Sequence, residues 1–208
     1  MEQEKKVPEQ SEMKEKPLTP KEKRQKILKN LYDIVEVLAT VTVAVTLLYA
    51  FAVRLQIVDG SSMLNTLHDK ERLLVTGLCY EPRRGDIVII HKIDADPYDR
   101  PIVKRVIATG GQTVDIDFDT WTLTVDGETV EESYRWVDPE KRLITCAYSL
   151  PVTLRDDQIF VMGDNRNGSA DSRTNEIGPV DIRCVVGKAF ARVAPLSRFA
   201  LFKNPFDA

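Results

Sequence analysis

A lysine inside an apolar run is the first residue of this chain that could do chemistry. Lys104 lies in PIVKRVIA, residues 101–108, with apolar residues on both sides of the Lys-Arg pair. A primary amine acts as a general base only when it is neutral, and burial among apolar groups lowers a lysine pKa from about 10.4 to roughly 7–8. Lys104 is therefore a candidate base. A lysine that extends from an edge strand into solvent fits the same local pattern, so both interpretations stay open.

Two adjacent serines could supply the nucleophile for such a base. Ser61 and Ser62 lie in VDGSSMLNTLHD, residues 58–69, shortly after a long apolar run. A serine hydroxyl attacks a carbonyl only when a base takes its proton. The chain has two histidines, too few to assume a Ser-His-Asp triad, so a lysine base is an alternative. Adjacent serines in a turn are more often structural, and composition does not choose between the two.

A polar loop is the third stretch of interest. VMGDNRNGSADSRTNEIGPV, residues 161–180, runs from an apolar strand end into a glycine and a dense set of Asp, Asn, Arg and Ser. These residue types satisfy a loop through hydrogen bonds between side chains and backbone. The order of the acidic residues does not match an EF-hand. The chain has no CxxC motif or His/Cys cluster, so we expect no metal site.

Composition limits the remaining function classes. The net charge is −3, and the basic residues are not interleaved with aromatic ones, so we expect no nucleic-acid partner. Three cysteines, Cys79, Cys146 and Cys184, follow the apolar run. An odd number permits at most one internal disulfide, and the sequence does not indicate which pair would form it.

A predicted membrane helix precedes the candidate serines and lysine and must position them relative to a bilayer. Residues 1–30 are rich in Lys, Glu, Gln and Pro, which predicts a flexible tail. Residues 37–53 form a run of seventeen without a charge, and its apolar flanks extend the predicted transmembrane anchor to residues 31–54. A buried core helix and a cleaved signal peptide are the alternatives. The run begins some thirty residues after Met1, which argues against a cleaved signal peptide.

Charge predicts the orientation of this anchor. Basic residues crowd its N-terminal side, at Lys21, Lys23, Arg24, Lys26 and Lys29. Arg54 is the nearest positive charge after the uncharged run of residues 37–53. The positive-inside bias therefore predicts a single-pass protein of the cell membrane, with a cytoplasmic N-terminus and residues 55–208 on the extracytoplasmic side.

The segment after the anchor reads as β-structure. Short β-branched runs alternate with turns, and Asp126-Gly127 between two such runs predicts a hairpin. No strong helical periodicity follows the anchor. We therefore expect a mainly β fold, with one transmembrane helix and a compact, largely antiparallel β domain at residues 55–208.

In this order, the motifs resemble those of the bacterial type I signal peptidases, the membrane-anchored Ser/Lys endopeptidases of peptidase family S26. An anchor is followed by GSSMLNTL, RGDIVII, VKRVIATGG, GDNRNGSADSR, IGPV and VGKAF, which together cover most of residues 31–195. Each motif is weak alone, but their order and spacing are specific. The resemblance implies an enzyme that removes signal peptides from exported proteins after small residues, the A-x-A pattern, through an acyl-enzyme and without a cofactor.

The resemblance also implies roles for individual residues. The nucleophile, the serine directly before a methionine, falls on Ser62, and the general base falls on Lys104. Ser169 matches the family residue whose hydroxyl binds and orients the lysine amine. The positions that brace the site fall on Asp164, Arg166, Asp171 and Arg173. Of these, Asp171 and Arg173 are expected to form an ion pair.

Two positions depart from the family pattern. Asn65 stands where a proline is usual, three residues after the nucleophile, and predicts a less rigid turn. Gly60 stands where some members have a serine that assists the oxyanion hole. Other members have glycine at that position. The backbone N–H of Ser62 is the expected oxyanion donor, Gly60 belongs to the same candidate site, and the second donor stays unassigned.

Substrate pockets and partners complete the predictions. Met63, Leu67, Ile102 and Val103 are candidates for lining shallow apolar pockets, although ordinary core packing fits each of them equally well. We expect a monomer whose partners are signal peptides of preproteins and the lipid bilayer. The alternative is a membrane-tethered β module that binds envelope proteins and has lost activity. A self-cleaving Ser/Lys protease of the repressor type would carry a DNA-binding domain in place of the anchor.

Overall fold

The computed structural model describes residues 19–92, 100–137 and 146–207 of the chain. Most of the predicted tail, residues 1–18, lies outside the described residues. The chain divides into two units, the first ending at Thr46 and the second beginning at Leu47. Each unit is described by itself.

The first unit is the greater part of a long helix, α1, which spans Pro20–Phe51. Among the described residues it is the one helix that is long and apolar enough to cross a membrane, over Lys23–Leu47 with a mean hydropathy of 1.5. Twenty-five helical residues span about 38 Å, more than the hydrocarbon thickness of a bilayer. The hydroxyls of Thr40, Thr42 and Thr46 donate to carbonyls four residues earlier in the helix, which suits an apolar surrounding.

The helix begins earlier than the sequence indicated. Residues 20–30 were expected to belong to a flexible tail, but they are helical in the structure. Lys, Glu, Gln and Leu are good helix formers, and proline is favoured in the first turn of a helix. The apolar run alone therefore underestimates the length of the helix, because polar residues of high helix propensity continue it.

In its described residues, the second unit contains twelve strands in two antiparallel sheets. The larger sheet has the order β1-β2-β11-β3-β4-β9-β10, with β12 beside β11, and the smaller has the order β7-β6-β5-β8. The strands of the larger sheet are β1 Arg54–Ile57, β2 Arg72–Thr76, β3 Ile87–Ile90, β4 Ile102–Ala108, β9 Gln158–Met162, β10 Val180–Asp181, β11 Val185–Ala194 and β12 Ala200–Leu201. The strands of the smaller sheet are β5 Thr113–Asp117, β6 Thr122–Val125, β7 Glu128–Thr129 and β8 Val152–Thr153. The predicted largely antiparallel β fold with one N-terminal helix is confirmed.

The predicted hairpin at Asp126-Gly127 is also present, between β6 and β7. Both residues have a positive φ, 54° and 81°. This pair of values is typical of a two-residue type I′ turn, whose twist matches that of the flanking strands.

Both faces of the larger sheet are covered by apolar side chains, which determines how Lys104 is surrounded. Along β3, Ile87 and Ile89 pack into one core cluster, and Val88 and Ile90 pack into another. The neighbouring strand β4 likewise sends its residues into more than one cluster. A strand covered on both faces shows no alternation of apolar and polar residues, which is why the pattern around Lys104 was ambiguous.

Candidate active site

Strand β4 carries Lys104 in the interior of the sheet. Its partner on β3 is Val88, and on the other side β9 pairs with β4 from Arg105 onward. Lys104 is only 3% exposed. The alternative of an edge-strand lysine with its amine in solvent is therefore wrong, because β4 lies between two strands and under apolar cover.

The Lys104 amine contacts the hydroxyl of Ser62. Nζ donates to Ser62 Oγ over 2.9 Å and to the carbonyl oxygen of Val103 over 3.0 Å. Ser62 and Lys104, which the sequence predicted as nucleophile and base, are therefore in contact, although they are 42 positions apart in the chain. Within the described part of the chain, the amine makes no hydrogen bond to Ser61.

Burial is the main influence on the charge of Lys104. It lowers the pKa of the amine to about 8, because water that would stabilise the ammonium form is absent. Asp171 and Asp164 act in the opposite direction, and the positive charge of Arg173 adds to the lowering. An amine with this pKa is partly neutral near neutral pH and can accept a proton from a hydroxyl.

The predicted ion pair between Asp171 and Arg173 is present and fully buried. The guanidinium binds both carboxylate oxygens, each over 2.8 Å. The backbone N–H of Gly163 donates to the same carboxylate over 3.0 Å. Burial opposes ionisation of Asp171, but Arg173 and Gly163 together hold its pKa below the ordinary value.

Asp164 has a partner that the sequence did not reveal. Arg105 binds its two carboxylate oxygens over 2.8 Å and 2.7 Å, and Thr66 donates to it over 2.5 Å. The guanidinium of Arg105 also lies 4.0 Å from the ring centroid of Tyr134. Asp164 therefore joins the strand that carries the base to the turn that follows the nucleophile. In the sequence, the only indication that Arg105 belongs to the site was that it directly follows Lys104.

Arg166 also pairs with a residue that was missed, Glu132. Its guanidinium makes two hydrogen bonds to this carboxylate, and both side chains are almost completely buried. Arg166 Nε donates to the carbonyl of Gly163 over 3.1 Å. Nothing in the sequence near Glu132 marked it, since it is separated from Arg166 by 34 positions.

Ser169 lies beside the glycine that precedes Asp164. A Cβ on Gly163 would be 2.3 Å from Ser169 Oγ and 2.4 Å from the carbonyl oxygen of Ser62. The Ser169 hydroxyl donates to the carbonyl of Ala170 over 3.4 Å, and it helps to lower the pKa of Asp171. Among the described residues no hydrogen bond joins Ser169 to Lys104, so its role in orienting the amine stays a prediction.

The turn that carries the nucleophile is held from the polar loop. Residues 62–66 form a turn. Asn65 lies in this turn, at the position where the family pattern usually has a proline. Asn165, another residue that the sequence did not single out, donates its backbone N–H to Ser62 O over 3.1 Å. Its side-chain amide donates to Ser61 O over 3.0 Å. The polar loop therefore fixes the backbone on both sides of the nucleophile.

The two backbone N–H groups considered as oxyanion donors, those of Gly60 and Ser62, differ in whether they already donate a hydrogen bond. The backbone N–H of Gly60 donates to Asp69 Oδ1 over 2.8 Å, so it is already engaged. The N–H of Ser62 has no acceptor in the part of the chain that the structure describes. This difference favours Ser62 as the backbone donor and leaves the second donor unassigned.

A cleft of about 280 Å³ opens beside Ser62 and Lys104. Residues 58–62 line one side and residues 100–104 line the other, so Ile102 and Val103 face this space. Met63 and Leu67, which were also proposed as pocket residues, do not line it. Both are completely buried in the core cluster under the nucleophile turn, where their apolar side chains support that turn.

The two sides of the cleft also meet at a second place. Asp59 and Arg100 form an exposed ion pair with an N–O distance of 2.7 Å, and both residues line the cleft. Since Ser62 faces Lys104 and Asp59 faces Arg100, the two sides run in the same direction. The backbone of β4 at residues 102–104 is not paired with β9 in the described structure, so this edge is open toward the cleft.

The arrangement suits acyl transfer. It combines a hydroxyl, a buried amine that can take its proton, an unengaged N–H for an oxyanion and a cleft that admits an extended peptide. In the described parts of the chain, no group of three His, Cys, Asp or Glu side chains could hold a metal ion. The three cysteines, all within the described ranges, are free thiols.

Comparison with known proteins agrees with this chemistry. The family described as "Signal peptidase, peptidase S26" matches residues 31–194. Signal peptidase I of Bacillus licheniformis is 37% identical over 186 residues, which cover 86% of this chain and 91% of that protein. Probable signal peptidase I-1 of Synechocystis is 34% identical over 174 residues, covering 79% and 83%.

A solved structure of signal peptidase I from Enterococcus faecalis is 28% identical, with a TM-score of 0.42 over 52% of this chain and 97% of that one. The family match extends from the apolar helix to the last long strand and includes every residue of the candidate active site. The chain belongs to the S26 signal peptidase family.

Proposed function

We propose that this chain is a serine endopeptidase that removes N-terminal signal peptides from exported proteins, with Ser62 as nucleophile and Lys104 as general base. The observation that carries the proposal is the 2.9 Å contact between the Ser62 hydroxyl and a buried amine whose pKa is lowered to about 8. Membership of the S26 family and the relatives named signal peptidase I support the same reaction.

The first half of the reaction forms an acyl-enzyme. Neutral Lys104 takes the proton of the Ser62 hydroxyl, and Oγ bonds to the scissile carbonyl carbon while the carbonyl electrons move to oxygen. The resulting oxyanion accepts a hydrogen bond from the N–H of Ser62. When the C–N bond breaks, the ammonium group of Lys104 gives its proton to the leaving amine.

The second half restores the enzyme. A water molecule replaces the leaving amine, and Lys104 takes a proton from it as it attacks the ester carbon. The bond between the acyl carbon and Ser62 Oγ then breaks, and the proton returns to Oγ. The same base thus serves both halves, which requires the amine to be neutral at the start of each.

The cleft supports an extended substrate. The open edge of β4 at residues 102–104 offers backbone groups that can pair with an added strand. Ile102 and Val103 give that edge an apolar lining, and the small volume of the cleft favours small side chains near the cut. These features agree with cleavage after an A-x-A pattern. Ser169 is proposed to orient the lysine amine, and Arg166 and Asp164 to brace the loop that holds the nucleophile.

We further propose the orientation in the membrane. The basic residues near the start of α1 favour a cytoplasmic N-terminus and an extracytoplasmic peptidase unit. From Val53 to Ser62 the chain can stretch at most about 30 Å, so the nucleophile is tethered near the outer membrane surface. A signal peptide held in the same bilayer presents its cleavage site at that depth, which raises the frequency of encounter.

The test is cleavage of a preprotein whose signal ends in A-x-A by the full chain in detergent or vesicles. Wild type and Ser61→Ala should cleave at the predicted bond, and Ser62→Ala and Lys104→Ala should not. Lys188, which pairs with Asp86 away from the cleft, provides a matched lysine control through Lys188→Ala. Equal cleavage by all variants, or none by wild type, would contradict the proposal.

A further inference from the structure

Asn165 makes two hydrogen bonds to the backbone around the nucleophile. Its backbone N–H binds Ser62 O over 3.1 Å, and its side-chain Nδ2 binds Ser61 O over 3.0 Å. Asn165 is 1% exposed, so these bonds are shielded from competing water. The contacts join residues that lie more than a hundred positions apart.

The second of these bonds controls a group that takes part in the reaction. The carbonyl of Ser61 and the N–H of Ser62 belong to one peptide unit, which is planar, and in this trans unit the two groups point in opposite directions. Asn165 Nδ2 shares the Ser61 oxygen with the N–H of Leu64, which lies 3.2 Å from it, and donors that fix the carbonyl on this side fix the N–H on the other side. That N–H belongs to a residue that lines the cleft.

We infer that Asn165 is a positioning residue, which aims the Ser62 N–H at the oxygen of the scissile carbonyl. The inference rests on the proposed function, and it assigns to Asn165 a role in stabilising the oxyanion without contact with the substrate. The Asn165 side chain acts through the Ser61–Ser62 peptide unit, and the backbone bond to Ser62 O does not depend on the side chain, so loss of the amide should change the transition state more than the bound substrate.

The surroundings of Asn165 keep its amide in one orientation. A Cβ on Gly168 would lie 2.4 Å from Asn165 Nδ2, so the amide packs directly against the Gly168 backbone. Asn165 Oδ1 is buried and has no hydrogen-bond partner among the described residues. If the amide were rotated, Oδ1 would face the Ser61 carbonyl and two acceptors would be in contact. The observed orientation is the one that places a donor on Ser61.

The experiment compares Asn165→Asp and Asn165→Ala with wild type in the full chain. Asp has nearly the same shape but no donor for Ser61 O, and Ala removes the group entirely. Both should lower kcat on an A-x-A peptide by about 100-fold, the cost of a misplaced oxyanion donor, with little change in KM. The pH dependence of kcat should keep its shape in Asn165→Ala, which adds no charge near Lys104, whereas the carboxylate of Asn165→Asp should move the acidic limb to higher pH.

A peptide boronic acid gives a second measurement that does not depend on turnover. Ser62 Oγ adds to boron and its proton moves to Lys104, which leaves a tetrahedral adduct with an oxygen where the oxyanion would be. Binding of this probe should weaken by the same factor as kcat in both Asn165 variants. Binding of a cleaved signal peptide with an amidated C-terminus, which has neither a tetrahedral centre nor a terminal charge, should not change.

Asn204 provides the matched control. It is a buried asparagine that also donates two hydrogen bonds, to Arg84 O over 2.7 Å and to Asp86 over 3.0 Å, away from the cleft. Asn204→Ala should lower the melting temperature and leave kcat and boronate binding unchanged. Gly168→Ala, which pushes on the Asn165 amide, should reproduce the loss of kcat.

The outcomes separate this inference from the proposed function. If wild type does not cleave the peptide but boronate binding depends on Asn165, the proposed function fails and the positioning role stands. If Asn165→Asp binds the boronate as wild type does, or if its losses match those of Asn204→Ala, the positioning role is overturned. A wild-type chain that does not bind the boronate overturns both.

Discussion

Asp171 is bound at both carboxylate oxygens by Arg173, so it is not free to serve as the counter-ion of Lys104. The carboxylate raises the pKa of the amine, and the neighbouring guanidinium lowers it. Because these opposite charges lie together, their effects on Lys104 partly cancel, and burial decides the result. The buried ion pair thus keeps a carboxylate near the base without converting the amine into a permanent ammonium ion.

The first prediction concerns the pH dependence of cleavage. Lys104 is active when neutral, and its pKa is about 8. The neutral fraction falls about tenfold for each pH unit below the pKa, so kcat/KM should fall with the same slope on the acidic side. A rate that is flat from pH 8 to pH 6 would be incompatible with a lysine base. The measurement is initial cleavage rate at saturating and limiting peptide over this range.

The second prediction concerns Arg173→Ala. This change leaves the Asp171 carboxylate buried without its partner, which should raise the pKa of Lys104 and move the acidic limb of the rate profile to higher pH. It should also lower the free energy of unfolding by about 3–5 kcal/mol. Denaturant unfolding and the pH profile check the two effects.

Arg183 offers a closely matched control for that change. It pairs with Asp181 in the same Asp-x-Arg spacing, but its side chain is 84% exposed. Arg183→Ala should change the free energy of unfolding far less than Arg173→Ala does, because solvent screens the exposed pair, and it should not move the pH profile. Similar effects of the two variants would show that the Asp171 pair has no special influence on the base.

The third prediction is that Lys104→Met is inactive but more stable than wild type at neutral pH. The fall in pKa from 10.5 to about 8 corresponds to about 3 kcal/mol that opposes folding of the protonated lysine. Loss of the hydrogen bonds to Ser62 and Val103 offsets part of the gain, at about 1 kcal/mol each. We therefore expect a net rise in the free energy of unfolding of about 1 kcal/mol at pH 7.

The advantage of Lys104→Met should disappear at high pH. Between pH 8 and pH 10.5 the unfolded lysine still holds a proton that the folded one has lost, so wild-type stability rises with pH through this group. Below pH 8 both states are protonated and the full penalty applies. Unfolding curves of both proteins at pH 7 and pH 10 test this. If the difference in unfolding free energy between Lys104→Met and wild type did not change with pH, the pKa of Lys104 would not be lowered in the folded state.

The sequence predicted the strands and the hairpin well, because local patterns determine them. The burial of Lys104 could not be read in the same way, since it depends on the pairing of β4 with β3 at Lys104 and with β9 from Arg105 onward. Local apolar residues showed only that burial was possible. Long-range pairing, which one sequence does not display, decided it.

The supporting contacts were harder to predict than the dyad. Arg105 and Asp164 are 59 positions apart, and nothing in either segment specifies the other as partner. Met63 and Leu67 were candidates for pocket residues with core packing as the alternative, and in the structure both pack in the core below the turn at residues 62–66. Proximity in sequence to a catalytic residue therefore does not indicate contact with substrate.

The fourth prediction concerns the ion pair at the other end of the cleft. Asp59 and Arg100 are both exposed, so their pairing contributes at most about 1 kcal/mol to stability. Three residue steps separate Asp59 from Ser62, at most about 10 Å of chain, so the pair lies near the fourth substrate residue from the cut, beyond the two small residues of the A-x-A pattern. Arg100→Glu should raise KM for peptides with Glu at that position and lower it for Lys, with kcat unchanged. Identical KM changes for the two peptides would contradict this placement.

The last prediction is that Gly163 cannot carry a side chain. A Cβ would be 2.4 Å from Ser62 O and 2.3 Å from Ser169 Oγ, both far inside contact distance. Residue 163 cannot retreat, because its N–H binds Asp171 and its carbonyl accepts from Arg166. Gly163→Ala must therefore displace the nucleophile turn, and a displacement of about 1 Å costs about 100-fold in kcat.

A second glycine separates this effect from general damage. A Cβ on Gly77 would also meet a carbonyl oxygen, that of Val186 at 2.5 Å, but outside the active-site cleft. Gly77→Ala should lower the melting temperature while kcat stays at the wild-type value, whereas Gly163→Ala should lower kcat at a temperature where both variants are folded. Wild-type turnover by Gly163→Ala would mean that the nucleophile turn tolerates displacement, and equal loss of kcat in both would assign the effect to stability alone.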